Sequence, residues 1–196
     1  MDPIKTINSR VPGLVAHIYQ DHDPHYDFDT LGTITYNAHA RTVVGVVPKT
    51  AEEDAEIARK VRDGEYIGLP VWAYVHGGAT VKAALENPFR CPWDSGRSGW
   101  VYVTEERALK EYGRKLTSKK FLARVRQQLI SEVEVFDMYL SGDVWGYEIV
   151  HDGEQIEACW NYFGYDGLEE EVQSILDVHA RHASPMKQLE LPIEFA

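Results

Sequence analysis

The sequence predicts an α+β fold, on three observations. Short runs of β-branched and aromatic residues alternate with polar ones, as in half-buried strands. An Asp-Gly pair, Asp152-Gly153, sits between two such runs and marks a tight hairpin. Stretches with apolar residues three and four apart are inserted between the strands rather than alternating with them one for one. The expected architecture is a single domain over residues 14–182, with one mixed, mostly antiparallel sheet and helices packed on one of its faces. A flexible leader (1–13) and a C-terminal tail (183–196) flank it.

Taken in order, Pro3, Pro12 and Gly13 make the leader read as irregular. Leu14 to Tyr19 reads as a strand. Asp21 to Asp29 is a charged loop. Leu31 to Tyr36 is a second strand, and Thr42 to Val47 a third, interrupted by Gly45. Thr50 with Glu53 three residues on forms a capping box for a helix that ends at Gly64. Ala55, Ile57, Ala58 and Val61 are its expected apolar face. Tyr66 to Val75 is a central strand with Pro70 as a bend. Trp100 to Val103 is another strand, and Thr104 opens a short helix. Thr117 to Tyr139 is the longest helix, with Phe121, Val125, Leu129, Val133 and Phe136 on one face. Its first half is basic and its second half acidic. That order opposes the helix dipole, so packing or a partner must compensate. Val144 to Val150 and Ile156 to Phe163 flank the Asp-Gly turn, and Leu168 to Ala180 is a final amphipathic helix.

Composition bounds the function. Apolar residues make up 44% of the 196-residue chain, with five Trp and eleven Tyr, which is enough for a core and excludes wholesale disorder. The formal charge of −11 argues against a general nucleic-acid surface, which needs clustered Lys and Arg. An acidic surface suits solubility or a basic partner protein. The N-terminus has no continuous apolar core of a signal peptide, and no run is long enough to span a membrane. The expected compartment is the reducing cytoplasm of a host cell, where Cys91 and Cys159 stay unpaired.

Phe89-Arg90-Cys91-Pro92-Trp93-Asp94-Ser95-Gly96 is unusual for a connecting loop, since loops are mostly polar. Four segments carry a resemblance. They are Leu69 to Gly78, Cys91 to Val103, Asp137 to Tyr147, and Cys159-Trp160-Asn161-Tyr162-Phe163-Gly164. Together they resemble a family of uncharacterised proteins of bacteriophages and other mobile elements, marked by Cys-x-Trp-Asp-Ser-Gly and Cys-Trp-x-Tyr/Phe-x-Gly. Asn161 departs from that family's usual Gly and Gly77 from its usual Ser. The resemblance covers roughly residues 30–165 and implies a small accessory protein of a phage or plasmid. Several such proteins oppose host defences.

Four groups of residues could carry function. Cys91, His76 and Asp94 are the types needed for a nucleophile, its base and an orienting carboxylate, with Ser95 and the Gly96 amide as oxyanion donors. The other reading of Cys91 is a small buried hydrophobe. His76 with Cys91 and Cys159 contains zinc-ligand types but lacks a Cys-x-x-Cys chelate. Asp21, His22, Asp23, His25, Asp27 and Asp29 contain cation-ligand types without EF-hand spacing, so a solvated loop is the plainer reading. His179 and His182 read as helix-end residues.

The tail Gln188-Leu189-Glu190-Leu191-Pro192-Ile193 resembles the short motif by which bacterial replication and repair proteins dock onto the sliding clamp. Leu191 and Ile193 would enter an apolar pocket while the Gln188 amide meets a polar edge, and Leu189 is counted with them as a binding residue. Alternatively the tail packs back on the core. Trp93 and Trp100 are candidate contact residues for a protein partner.

The expectation is a protein that works by binding a host DNA-processing or defence protein, or the sliding clamp. It has no cofactor, no metal, no membrane and no direct nucleic-acid contact. The alternative is a cysteine-dependent hydrolase using Cys91, His76 and Asp94.

Overall fold

Two mostly antiparallel sheets, rather than one, organise the chain. The structure is a computed structural model that describes residues 2–27, 29–40, 42–113 and 119–183. Its strands are β1 (Lys5–Asn8), β2 (Leu14–Gln20), β3 (Thr33–Asn37), β4 (Val47–Lys49), β5 (Tyr66–Val75), β6 (Ala79–Ala83), β7 (Ser95–Thr104), β8 (Val144–His151) and β9 (Glu154–Phe163). The helices are α1 (Ala51–Asp63), α2 (Glu105–Tyr112), α3 (Lys119–Ser141) and α4 (Leu168–Ala183). The α+β class is as the sequence predicts. The chain divides into two compact units. One combines residues up to Pro24 with those from Val144 on, and the other is His25–Asp143. The first unit is joined by the long-range pairing of β2 with β8, which alternation along one segment cannot announce.

The terminal unit holds a sheet in the order β1-β2-β8-β9. Leu14, Ala16 and Ile18 alternate along β2 and are fully buried, together with Tyr147 and Ile149 of β8. They meet Leu168, Val172 and Leu176, four apart on one face of α4. Burying each such side chain contributes about 1.5–3 kcal/mol. The β8–β9 turn is as read: Asp152 and Gly153 both take positive φ, 51° and 86°, which a two-residue hairpin of matching twist requires. The expected leader corrects in part, because β1 pairs antiparallel with β2, Lys5 opposite Ile18. Backbone pairing holds this short, exposed strand, so it left no apolar pattern to read.

The central unit holds a sheet in the order β4-β3-β7-β5-β6. Ile67, Leu69, Val71 and Ala73 of β5 and Val101 and Val103 of β7 point to one face. There they form a core with Val125, Leu129, Val133 and Phe136 of α3. Residues of the other parity, Gly68 and Tyr102 among them, face α1. A Cβ on Gly68 would stand 2.9 Å from the Val61 methyl. Helices therefore cover both faces of this sheet, not one as expected.

The α1 cap is as read. Thr50 Oγ1 accepts from the Glu53 amide at 3.2 Å, the Glu53 carboxylate accepts from the Thr50 amide at 2.9 Å, and Gly64 closes the helix in the left-handed region. Its buried face is Asp54 and Ile57 rather than Ala55, which is exposed. Asp54 is held there by Arg97, Nη2 to Oδ2 at 2.6 Å. Pro70 stays within β5 beside a register shift at Val71/Trp72. The expected third strand, Thr42 to Val47, is bends and irregular chain up to Val46, with only Val47 in a strand.

The dipole conflict in α3 has a tertiary answer. Glu132 is buried, and its two oxygens accept from the Leu31 and Gly32 amides at 2.8 Å each. Asp137 Oδ1 accepts from Thr80 Oγ1 at 2.6 Å and from the Val81 amide at 2.7 Å. Val81 lies on β6, the sheet's edge, so the α3 carboxylate satisfies an edge amide. Among the described residues no helix is long and apolar enough to cross a membrane.

Candidate functional site

β5 ends at Val75, and His76, Gly77 and Gly78 turn the chain into β6. The connection Ala84–Asp94 then returns it to the start of β7. The Val75 amide donates to the Asp94 carbonyl at 2.8 Å, which places the end of that connection beside the β5–β6 turn. This brings three predicted residues together. Cys91 Sγ donates to Asp94 Oδ2 at 3.4 Å, and His76 Nδ1 lies 3.4 Å from the same oxygen. Asp94 thus stands between the thiol and the imidazole. A nucleophile relay needs the opposite order, with imidazole between thiol and carboxylate. The His76 side chain is largely exposed and the thiol is half-buried.

Ser95 does not present donors to a substrate. It is buried, and both its hydroxyl (2.5 Å) and its amide (3.2 Å) donate to the Cys91 carbonyl. Asn87 Nδ2 donates to the same hydroxyl at 3.0 Å, and Asn87 Oδ1 accepts from the Phe89 amide at 3.0 Å. The Phe89 ring packs on Tyr74, with centroids 5.8 Å apart. Asn87 is a residue the sequence reading missed. Its signal was an Asn-Pro pair, a turn mark, in front of the aromatic turn. Cys91, Asp94 and Ser95 therefore form a turn tied at three points, and at its apex Trp93 is 75% exposed.

Trp100, the other candidate contact, is a correction: it is 9% exposed, buried on β7. The Arg97 guanidinium lies 5.2 Å from its ring centroid, and Thr35 Oγ1 accepts from its amide at 3.2 Å. Strand alternation sends it inward where the turn sends Trp93 outward. Gln188, Leu189, Leu191 and Ile193 lie outside the described residues.

Cys159 belongs to the terminal unit. Its thiol is half-buried on the α4 side of β9, and burial, then the Glu171 and Glu157 carboxylates, push its pKa up. Glu157 also accepts from the Tyr147 hydroxyl at 3.2 Å and lies 2.7 Å from His179 Nε2 on α4. The next two residues form a β-bulge opposite Gly146, with Asn161 at φ 63°. The bulge lays the Trp160 indole over Gly146, where a Cβ would collide with the ring. Trp160 also stacks on Tyr19, with centroids 5.8 Å apart and planes 26° from parallel. The Asn161 amide donates to Asp21 Oδ2 at 3.0 Å, so one carboxylate of the expected cation loop serves the bulge. Among the described residues no group of three or more His, Cys, Asp and Glu side chains could hold a metal ion.

A cavity of about 760 Å³ lies in the central unit between Asp29–Leu31, α2 and α3. Arg107 and Glu132 line it, and both already bind the Thr30–Gly32 backbone. Comparison with protein-family models, curated proteins and solved structures finds no match, so the reading of these sites rests on their geometry alone.

Proposed function

We propose that this protein acts by binding another protein, with the Cys91–Ser95 turn as a contact surface and Trp93 as its anchor. One observation carries this reading: a Trp held 75% in water at the tip of a turn fixed by side-chain hydrogen bonds. Exposing an indole forgoes its burial energy, and fixing its base lowers the entropy lost when a partner covers it. Trp is also the residue type most enriched among binding hot spots. The Cys91–Asp94 bond and the Ser95 hydrogen bonds then serve to hold the turn.

The partner we assign is a DNA-processing or defence protein of a bacterial host. This follows from the resemblance to mobile-element accessory proteins and from the net charge of −11, which suits a basic groove. The C-terminal Gln188–Ile193 segment is a second proposed determinant, directed at the sliding clamp.

The test is capture from bacterial lysate by four chains: wild type, Trp93→Ala, Cys91→Ser and a chain ending at Met186. A partner lost with Trp93→Ala but kept with Cys91→Ser is expected. A clamp lost only with the shortened chain would place the contact in the tail instead. Equal capture by wild type and Trp93→Ala overturns the Trp93 reading.

A second reading, a cysteine hydrolase, draws support from the convergence of Cys91, Asp94 and His76 within hydrogen-bonding range. Rapid alkylation of Cys91 at neutral pH, with loss of partner-independent activity in Cys91→Ser, would favour it.

A further inference from the structure

The fold answers the charges of the second half of α3 and leaves those of the first half unanswered. In the second half, Glu132 and Asp137 accept from the amides of Leu31, Gly32 and Val81. The first half carries Lys119, Lys120, Arg124 and Arg126, all exposed, with no carboxylate before Glu132. Ion pairs among the described residues involve none of these four cations. Arg124 lies over the Tyr112 ring, 5.3 Å from its centroid. Two lysines in the first turn of a helix oppose its dipole and lower its stability. Nothing in the described part of the fold offsets that cost.

We propose that the outward face of the first turns of α3 is a contact for nucleic-acid phosphates, met by Lys119, Lys120 and Arg124. At 3.6 residues per turn, these three share a face with Ala123 and Gln127. It lies opposite the buried stripe of Val125, Leu129 and Val133, and all five residues are exposed. The next carboxylate on that face is Glu134, ten residues past Arg124 and so about 15 Å along the helix. Glu106 and Glu111 of α2 line the neighbouring cavity and bound the patch on that side. The composition of the face selects the partner. Ala123 is the only apolar side chain of the five, whereas a membrane or a protein hot spot needs larger apolar groups. Phosphate contact needs cations and hydrogen-bond donors, and Gln127 adds a donor. The small side chain of Ala123 lets a backbone approach the helix closely.

This revises the expectation, drawn from the net charge of −11, of no direct nucleic-acid contact. At physiological ionic strength fields fall off over about 8 Å, so a strand touching this face meets its local charge. The charge of the whole chain acts on long-range steering instead, which it opposes. Three phosphate contacts give weak, salt-sensitive binding. The slope of log K against log salt should be about −2.7 on a duplex and about −2.1 on a single strand. The inference goes beyond the Trp93 reading and does not depend on it.

Fluorescence anisotropy of a short labelled DNA duplex and its single strand, titrated with the full chain at several salt concentrations, tests this. Wild type should bind at low salt with slopes near those values. The chain carrying Lys119→Glu, Lys120→Glu and Arg124→Glu should bind about tenfold more weakly or worse. A chain carrying Arg10→Glu, Arg62→Glu and Lys82→Glu has the same change in net charge at other exposed positions and should keep most of the binding. Misfolding would not explain the first loss if its thermal midpoint holds or rises, as expected when carboxylates stand at positions 119 and 120, where the dipole favours them. No binding at low salt, an equal loss in both triple variants, or binding of polyglutamate or phosphatidylserine vesicles as tight as that of DNA would overturn the proposal.

Discussion

Cys91 lies two residues before Trp93 in the turn that leads into β7, and Cys159 lies directly before Trp160 at the β9 bulge, yet the two segments put the same residue types to opposite uses. At Cys91-Pro92-Trp93 the thiol donates to Asp94 and the indole points into water. At Cys159-Trp160-Asn161 the thiol is turned toward α4 among carboxylates, and the indole lies flat on Gly146 and Tyr19. The difference comes from backbone shape. A turn tied through its own carbonyl at Cys91 projects its apex outward. A bulge between paired strands tilts its side chain back onto the neighbouring strand. A Cys-Trp pair therefore states no function until the backbone that holds it is known.

The sharpest way to break this contrast is Gly146→Ala. The new methyl would occupy the space of the Trp160 ring, so an overpacking cost of about 3 kcal/mol is expected in denaturant unfolding, with a change in Trp fluorescence. Ser95→Ala removes the hub of the other segment. Leaving its partners unsatisfied should cost about 2 kcal/mol, and partner capture should weaken because Trp93 loses its fixed base. Asn161→Ala should cost about 1 kcal/mol, because alanine tolerates positive φ poorly, whereas Asn161→Gly should be close to neutral. Smallest of all, Trp93→Ala should change stability by under about 0.5 kcal/mol while removing the binding anchor. A large stability loss there would mean that the indole is structural after all.

Titration sharpens the same contrast. The raised pKa of Cys159 leaves less thiolate at a given pH, so its alkylation should be slow near neutrality and should accelerate well into the alkaline range. Mass-spectrometric rates at several pH values check this. Burial, with Glu157 adding to it, pushes Tyr147 up to about 12. Burial and the hydrogen bond to Glu169 push Tyr165 up to about 12 as well. Both lie in the terminal unit. In the central unit Tyr26 reaches about 12, through burial and the nearby Glu132. A phenol raised in the folded state contributes stability that is complete below its unfolded value near pH 10 and is lost as pH rises through about 12. Alkaline unfolding should therefore begin above about pH 10. Amide exchange should show protection falling first around β8, β9 and α4.

Much of the secondary structure was legible along the chain. The α1 capping box, the Asp152-Gly153 hairpin and the apolar stripe of α3 each arise from residues within a few positions of one another. The site was legible only in part. Cys91, His76 and Asp94 could be named together, but not their order in space, nor the use of Ser95 as a brace. Glu132 and Asp137 read as helix charges in conflict with a dipole. Their role as acceptors for the amides of Leu31, Gly32 and Val81 depends on segments distant in sequence.

What the sequence by itself determined was the α+β class and the local elements, because periodicity, capping and turn chemistry act over one or two turns of chain. Tertiary structure alone decided that β2 would pair with β8 and so make two sheets. It also decided that α1 and α3 would take opposite faces of the central sheet, that Trp100 would be buried, and that Trp93 would be left in water. Those outcomes depend on which distant surfaces exclude water together, and burial is a property of the assembled packing rather than of any residue's neighbours in the chain.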